Sequence, residues 1–377
     1  ASEESAPALP ATPRGEAAPQ LLRSDQWASL ALPLGIEAAA LLLCFADNIL
    51  WFGVCWLVLT IGVWGLGELG SASNMLDRRG LIAMVAGPVL WVGAMLLTAA
   101  PLSAPRFYDL MGRGGIPALK VFLLALTLAL AGGAYPFLVW VRRRAAFTTP
   151  AGLGAVVLAA LPVALVAGAR TYSAVQDGTN LWPQIGTITP PITAGVAFVI
   201  LGALTVGACG LLALSRGDGR SLIALLGSAQ VGWGLLALGV GAPATVAALV
   251  VLLATSVLGL GAMLSSLVSG GMVTTDLEPA GAGPRPFGAA LRGPSLFAWS
   301  AGAVALIGAP LFGGFIARQM ITAAALGGTK LTIPLLGLAW AGDALLAFAL
   351  VRATAPALRG KPAVSDDELE TDEPVDE

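Results

Sequence analysis

The sequence predicts an all-α polytopic membrane protein of about ten transmembrane helices, arranged as two inverted five-helix repeats, each with a broken fourth helix. Three observations carry this. The 377 residues are 57% hydrophobic and only 11% charged, a balance that excludes an ordinary soluble domain. Uncharged runs of about 20 residues recur, the length a helix needs to cross a bilayer. Two of these runs, at corresponding places, are interrupted by Gly and Pro.

Helices are the default for every span, because a chain in hydrocarbon must satisfy its own backbone. The spans read as 29–46, 48–67, 81–101, 119–141, 151–170, 191–214, 220–240, 243–268, 296–320 and 331–354. The first two are joined so tightly, at Asp47-Asn48, that they must form a hairpin. Residues 1–27 are rich in Ala, Pro and Glu and lack an apolar signal-like core, so a disordered tail is expected there. Residues 28–170 form the first repeat, 171–190 an extracytoplasmic loop, 191–355 the second repeat and 356–377 an acidic tail. The loop TYSAVQDGTNLWPQIGTITP is either a docking surface or a plain connector. The acidic tail reads as a solvated segment, with docking to a basic partner as the sharper alternative.

Lys and Arg placement sets the expected orientation. One side carries Arg14, Arg23, Arg78, Arg79, Arg142, Arg143, Arg144, Arg216, Arg220, Arg285, Arg292, Arg352, Arg359 and Lys361. The other carries only Arg106, Arg113, Lys120, Arg170 and Lys330. Both termini are therefore expected in the cytoplasm, with the chain integral to the inner (cytoplasmic) membrane.

The fourth span contains AGGAYPFLVW, with Gly132, Gly133 and Pro136 at its break. The ninth contains IGAPLFGGF, with Gly308, Pro310, Gly313 and Gly314. Five is odd, so the second set of five runs inverted to the first. Paired broken helices in inverted repeats mark transporter-like folds, although Gly and Pro are also common in membrane helices generally.

The chain has no His, and its three Cys lie in apolar segments. No metal-ligand spacing or disulfide framework results. There is no P-loop, no dinucleotide fingerprint and no nucleophile triad. No cofactor is expected on this chain, catalytic residues are not expected, and nothing points to nucleic acid.

Three stretches resemble the proton-antiporter-like membrane subunits of respiratory complex I, membrane-bound hydrogenases and multisubunit cation/proton antiporters. YPFLVWV (135–141) is similar to that family's PFH-x-W-x-P. ALSRGDGRSLIALLGSAQVGWG (213–234) is similar to AL-x-Q-x-DLKRLLAYSSISQ-x-G, with Asp218, Arg220, Leu222, Ala224, Gln230 and Gly232 in register. ALIGAPLFGGFIAR is similar to SLAGIPP-x-AGFIGK. The resemblance runs over roughly 47–320 in the family's order. It implies a fourteen-helix core of which this chain keeps the two inverted five-helix units.

The resemblance also implies a relay of buried charges, and this chain departs from it. The family's glutamate falls at Trp56, its first lysine at Ala131 and its second lysine near Val163; only the last position keeps a charge, at Arg318. Trp, Ala and Val cannot titrate, and arginine stays protonated. The expected reading is a shortened, degenerate member, with its relay charges largely lost.

Relocated relay residues are the alternative: Glu37, Glu68, Lys120 and Asp343. Glu37 lies mid-span, as a relay group or as a carboxyl kept neutral or paired with a neighbouring subunit. Glu68 and Lys120 lie near span ends, where snorkelling is the plainer reading. Asp343 is central in its span and must have a partner. Arg318 and Asp343 are expected to pair, unless Arg318 snorkels to the interface.

The leading functional expectation is a membrane-arm subunit of a complex I-like NADH/quinone oxidoreductase, mainly structural or coupling. Its partners would be other membrane subunits and the lipid bilayer. A subunit of a cation/proton antiporter or membrane-bound hydrogenase is the second reading, and a stand-alone secondary transporter the third.

Overall fold

The computed structural model describes residues 18–68, 78–99, 106–110, 118–175, 184–185, 192–193, 195–269, 291–327 and 331–359. Its helices fall on the ten expected spans. They are α1 (Ala18–Phe45), α2 (Ile49–Glu68), α3 (Arg78–Ala99), the short α4 (Phe107–Leu110), α5 (Ala118–Ala131), α6 (Leu138–Phe147), α7 (Pro150–Ala155), α8 (Leu161–Val175), α9 (Val196–Leu214), α10 (Gly219–Val240), α11 (Pro243–Ser269), α12 (Pro294–Ile307), α13 (Gly313–Leu326) and α14 (Thr332–Leu358). A π-helical turn, Val156–Ala160, joins α7 to α8. Among the described residues, seven spans are long and apolar enough to cross a membrane uninterrupted, and Ala31–Phe45, Leu119–Ala131 and Pro294–Ile307 are shorter apolar helices at the remaining places. The protein is an integral membrane protein.

Several ends follow from local chemistry. Asn48 Oδ1 accepts from the backbone N–H of Leu50 at 2.8 Å and starts α2. Asp218 Oδ2 accepts from Ser221 N–H at 2.9 Å and starts α10, while Gly241, at φ 66°, ends it. Thr149 caps α7, whose first residue is Pro150.

The described connections sort onto two ends, as alternating spans require. Phe107 N–H donates to Asp47 O, Arg170 to Cys44 O and the Tyr172 hydroxyl to Gly241 O at one end. Thr148 bonds Gly67 O, and Arg352 bonds Arg216 O, at the other.

Three expected boundaries move. Helix α1 begins at Ala18, so residues 18–27 are helical rather than tail; residues 1–17 lie outside the described residues. Helix α8 runs to Val175, so the first five residues assigned to the connecting loop continue the helix. Tyr172 explains it: its ring is buried and its hydroxyl reaches Gly241 O. The rest of that loop lies mostly outside the described residues, apart from the paired two-residue strands Gln184–Ile185 and Ile192–Thr193. Helix α14 extends to Leu358, and residues 360–377, most of the acidic tail, lie outside the described residues.

Helix α10 is the axis of the second half. Its span is 94% buried, against 39% for α2. Close approach makes this possible. A Cβ on Gly202 of α9 would lie 2.5 Å from Gly232 O of α10, and one on Gly342 of α14 would lie 2.5 Å from Val206 O of α9. Small residues at such crossings let backbones touch, which is how helices associate where water supplies no hydrophobic drive. The Gly342 contact presses the next residue, Asp343, into the interior.

Candidate functional site

Both interrupted spans break where Gly and Pro were expected to break them. In the second, α12 stops at Ile307, Gly308 takes φ 78° and Leu311 φ 80°, and α13 resumes at Gly313. The interruption frees the last carbonyls of α12 inside the protein. Leu306 O accepts from Arg318 Nη2 at 2.6 Å and from Gln230 Nε2 at 3.1 Å. Arg318 Nη1 donates to Gly314 O at 3.3 Å, and Nε to Asp343 Oδ2 at 2.7 Å. All three guanidinium nitrogens are engaged, and Arg318 is fully buried.

Asp343 is 3% exposed, and its Oδ2 also accepts from the indole N–H of Trp233 at 2.9 Å. The guanidinium carbon stands 5.2 Å from the centroid of that same indole ring, within cation–π range. Trp233 in turn meets Trp340 edge-on at 5.4 Å, and Trp340 donates to Thr322 Oγ1 at 3.2 Å. Arg318 therefore does not snorkel. It closes the break, neutralises Asp343 and meets the negative end of α12.

Gly308 is required by this arrangement. A Cβ there would lie 2.7 Å from Arg318 Nη1, and left-handed backbone costs an L-residue roughly 1–2 kcal/mol. Gly308→Ala is expected to lose at least that much stability, about 1–2 kcal/mol, read as a lower melting temperature in detergent.

The first break follows the same logic with different groups. Helix α5 ends at Ala131, Gly133 takes φ 58°, the Tyr135–Pro136 peptide is cis, and α6 starts at Leu138. Leu130 O is satisfied by the Trp140 indole at 2.9 Å, and Tyr135 N–H by Thr205 Oγ1 at 2.9 Å.

Helix α6 continues to Phe147, past the expected limit of 141, and this turns Arg144 inward. Arg144 is 2% exposed; its Nη1 lies 2.5 Å from Glu68 Oε1, and its Nη2 2.5 Å from Trp64 O. Glu68 is therefore not a plain interface residue. Arg144 stands eight residues after Pro136, and Arg318 eight after Pro310. The two breaks thus deliver a buried, carboxylate-paired arginine at the same distance, one in each repeat.

The positions matching the relay are all buried. Trp56 and Ala131 line one small cavity between α2, α3, α5 and α6, together with Thr60 and Trp140. The Thr60 hydroxyl donates to Trp56 O at 2.8 Å. Trp56 fills the space and packs edge-on to Phe52 at 5.9 Å and Trp91 at 5.4 Å, with Phe107 completing the cluster. Val163 is buried on α8.

The remaining candidates stand apart. Lys120 donates to Leu97 O at 2.7 Å, tying α5 to α3. Glu37 is on the outward face of α1. Among the described residues, no cluster of His, Cys, Asp and Glu could hold a metal.

No protein-family model matches the sequence, and no curated protein does. Solved structures share the fold. A chain in the structure of the Mrp complex from Dietzia sp. DQ12-45-1b superposes with TM-score 0.73 at 20% identity, over 88% of this chain and 61% of that one. A chain in the structure of the membrane-bound sulfane sulfur reductase (MBS), an archaeal respiratory membrane complex, gives TM-score 0.68 at 20% identity, over 86% of this chain and 53% of that one. This chain thus spans less than two thirds of either. This chain therefore shares its fold with chains of these two complexes.

Proposed function

We propose that this chain is a non-catalytic subunit of a multisubunit respiratory or antiporter complex, acting as scaffold and coupling element rather than as an ion carrier. One observation carries the proposal. The only charge left at a relay position is Arg318, and its three nitrogens are held by Asp343, Leu306 O and Gly314 O. A relay needs a group that gains and loses a proton near ambient pH; a guanidinium does neither. Trp56 meanwhile occupies the space beside Ala131 where the first repeat would hold its glutamate and lysine.

The motifs PFLVW and DGRSLIALLGSAQVGWG favour a complex I-like NADH/quinone oxidoreductase as the particular assembly. The Mrp likeness supports a cation/proton antiporter instead. The Lys and Arg distribution favours both termini in the cytoplasm.

The test has two parts. Gentle extraction of native membranes and blue-native separation should show the chain migrating with other membrane subunits, whose identities choose between the assemblies. The purified chain in liposomes should leave an imposed pH gradient decaying at the rate of protein-free vesicles. A chain that runs alone, or that discharges the gradient, overturns the proposal.

A further inference from the structure

Glu37 sits at the middle of the membrane. Ten residues separate it from Asp47 at the α1–α2 turn. That is roughly 15 Å at 1.5 Å per residue, half of a hydrocarbon core of about 30 Å. The packing of α1 on α2 agrees: Ile36 meets Gly62, deep within the α2 span.

Among the described residues, helix α1 from residue 31 onward is covered on one side only. Ile36, Ala39 and Leu43 are buried, and α2 is its main neighbour among the described helices. Leu34, Glu37, Ala38, Leu41 and Phe45 form the opposite stripe and are exposed. The spacing of three and four residues puts them on one face. Leucine and phenylalanine need no cover in a bilayer, but a carboxyl group does. Among the described residues Glu37 has neither an ion pair nor a side-chain hydrogen bond, whereas Asp343 and Glu68 each hold an arginine.

We propose that this face of α1 is a subunit interface, occupied by a transmembrane helix of a different subunit that presents a lysine or arginine to Glu37. Charge complementarity selects that occupant. A second copy of this chain offers no such partner from its described residues at this depth. Arg318 and Arg144 are buried and committed to Asp343 and Glu68, and Lys120 and Arg170 are bound near span ends to Leu97 O and Cys44 O. The inference rests on the reading of the chain as a subunit, and names where one neighbour sits and what it must carry.

The experiment places a photo-cross-linking amino acid at Leu41 in the native complex, with a control at Phe348 on α14. The Leu41 position should capture a membrane-spanning peptide of another subunit that contains Lys or Arg. Glu37→Lys should lower recovery of intact complex by roughly tenfold or more, since like charges meeting at an interface are strongly disfavoured. Exchanging the captured basic residue for Glu should restore it, and Glu37→Gln should have a smaller effect in the same direction. The inference is overturned if, in an intact complex, Leu41 joins only lipid, a peptide without a basic residue, or a second copy of this chain. Recovery unchanged by Glu37→Lys overturns it equally. If the chain purifies with no other subunit, the proposed function has failed, and this inference falls with it.

Discussion

Asp343→Asn is expected to destabilise the protein by about 3–5 kcal/mol, the cost of leaving one partner of a buried ion pair uncompensated. Arg318 has no route to water: it is fully buried, and its other nitrogens are held by Leu306 O and Gly314 O. Asparagine can still accept from the Trp233 indole, so the loss reports the charge rather than the packing. A melting curve in detergent, followed by size-exclusion recovery, reads it. The apolar double variant Arg318→Met with Asp343→Leu should recover much of the loss, because well-packed hydrophobes often replace a buried pair at little cost. Leu306 O would still accept from Gln230 in that variant, but the Trp233 indole would lose its acceptor, so recovery should stop short of the parent by about 1–3 kcal/mol. If Asp343→Asn melts like the parent, the pair contributes nothing.

The second large effect belongs to Trp56→Ala, expected to cost about 3–5 kcal/mol, the range for removing a large buried aromatic side chain. Trp56 is 1% exposed and holds the edges of Phe52 and Trp91. Its loss enlarges the cavity beside Ala131. The same variant in liposomes should hold a pH gradient as well as the parent does. Opening space beside Ala131 adds room without adding a titratable group. A fall in stability with no gain in proton conductance would identify Trp56 as filler of a disused passage. A large conductance would mean that the passage was only plugged.

Much of the architecture was legible because membrane spans announce themselves by length and hydrophobicity. All ten lie where the apolar runs lie, and both breaks fall at the Gly and Pro residues named for them. The Arg318–Asp343 pair was also within reach, since Asp343, central in the next span, needs a partner and Arg318 is its near neighbour in sequence. What the sequence concealed were groups whose role depends on rotation. Three arginines in a row, Arg142 to Arg144, counted in the sequence only toward the positive side; the continuation of α6 shows that Arg144 turns in to Glu68. Trp233 is one residue from the motif glycine Gly232, yet nothing local says that its indole will reach Asp343, 110 residues away. Trp56 read as a missing glutamate, while its second property, bulk, shows only when Phe52 and Trp91 close around it. The eight-residue interval from Pro136 to Arg144 and from Pro310 to Arg318 could have been counted, and would have singled out Arg144.

The 25-residue step from Arg318 to Asp343 has a consequence for how the chain is made. Synthesis runs from the N-terminus, so the arginine reaches the membrane while its counter-charge is still inside the ribosome. An arginine at mid-membrane opposes insertion by about 2.5–3.5 kcal/mol on the translocon scale. Helices α12 and α13 therefore have reason to linger at the insertion machinery until α14 emerges and Asp343 arrives. The clasp that immobilises the finished protein would then also be the last piece of the second repeat to be set in place.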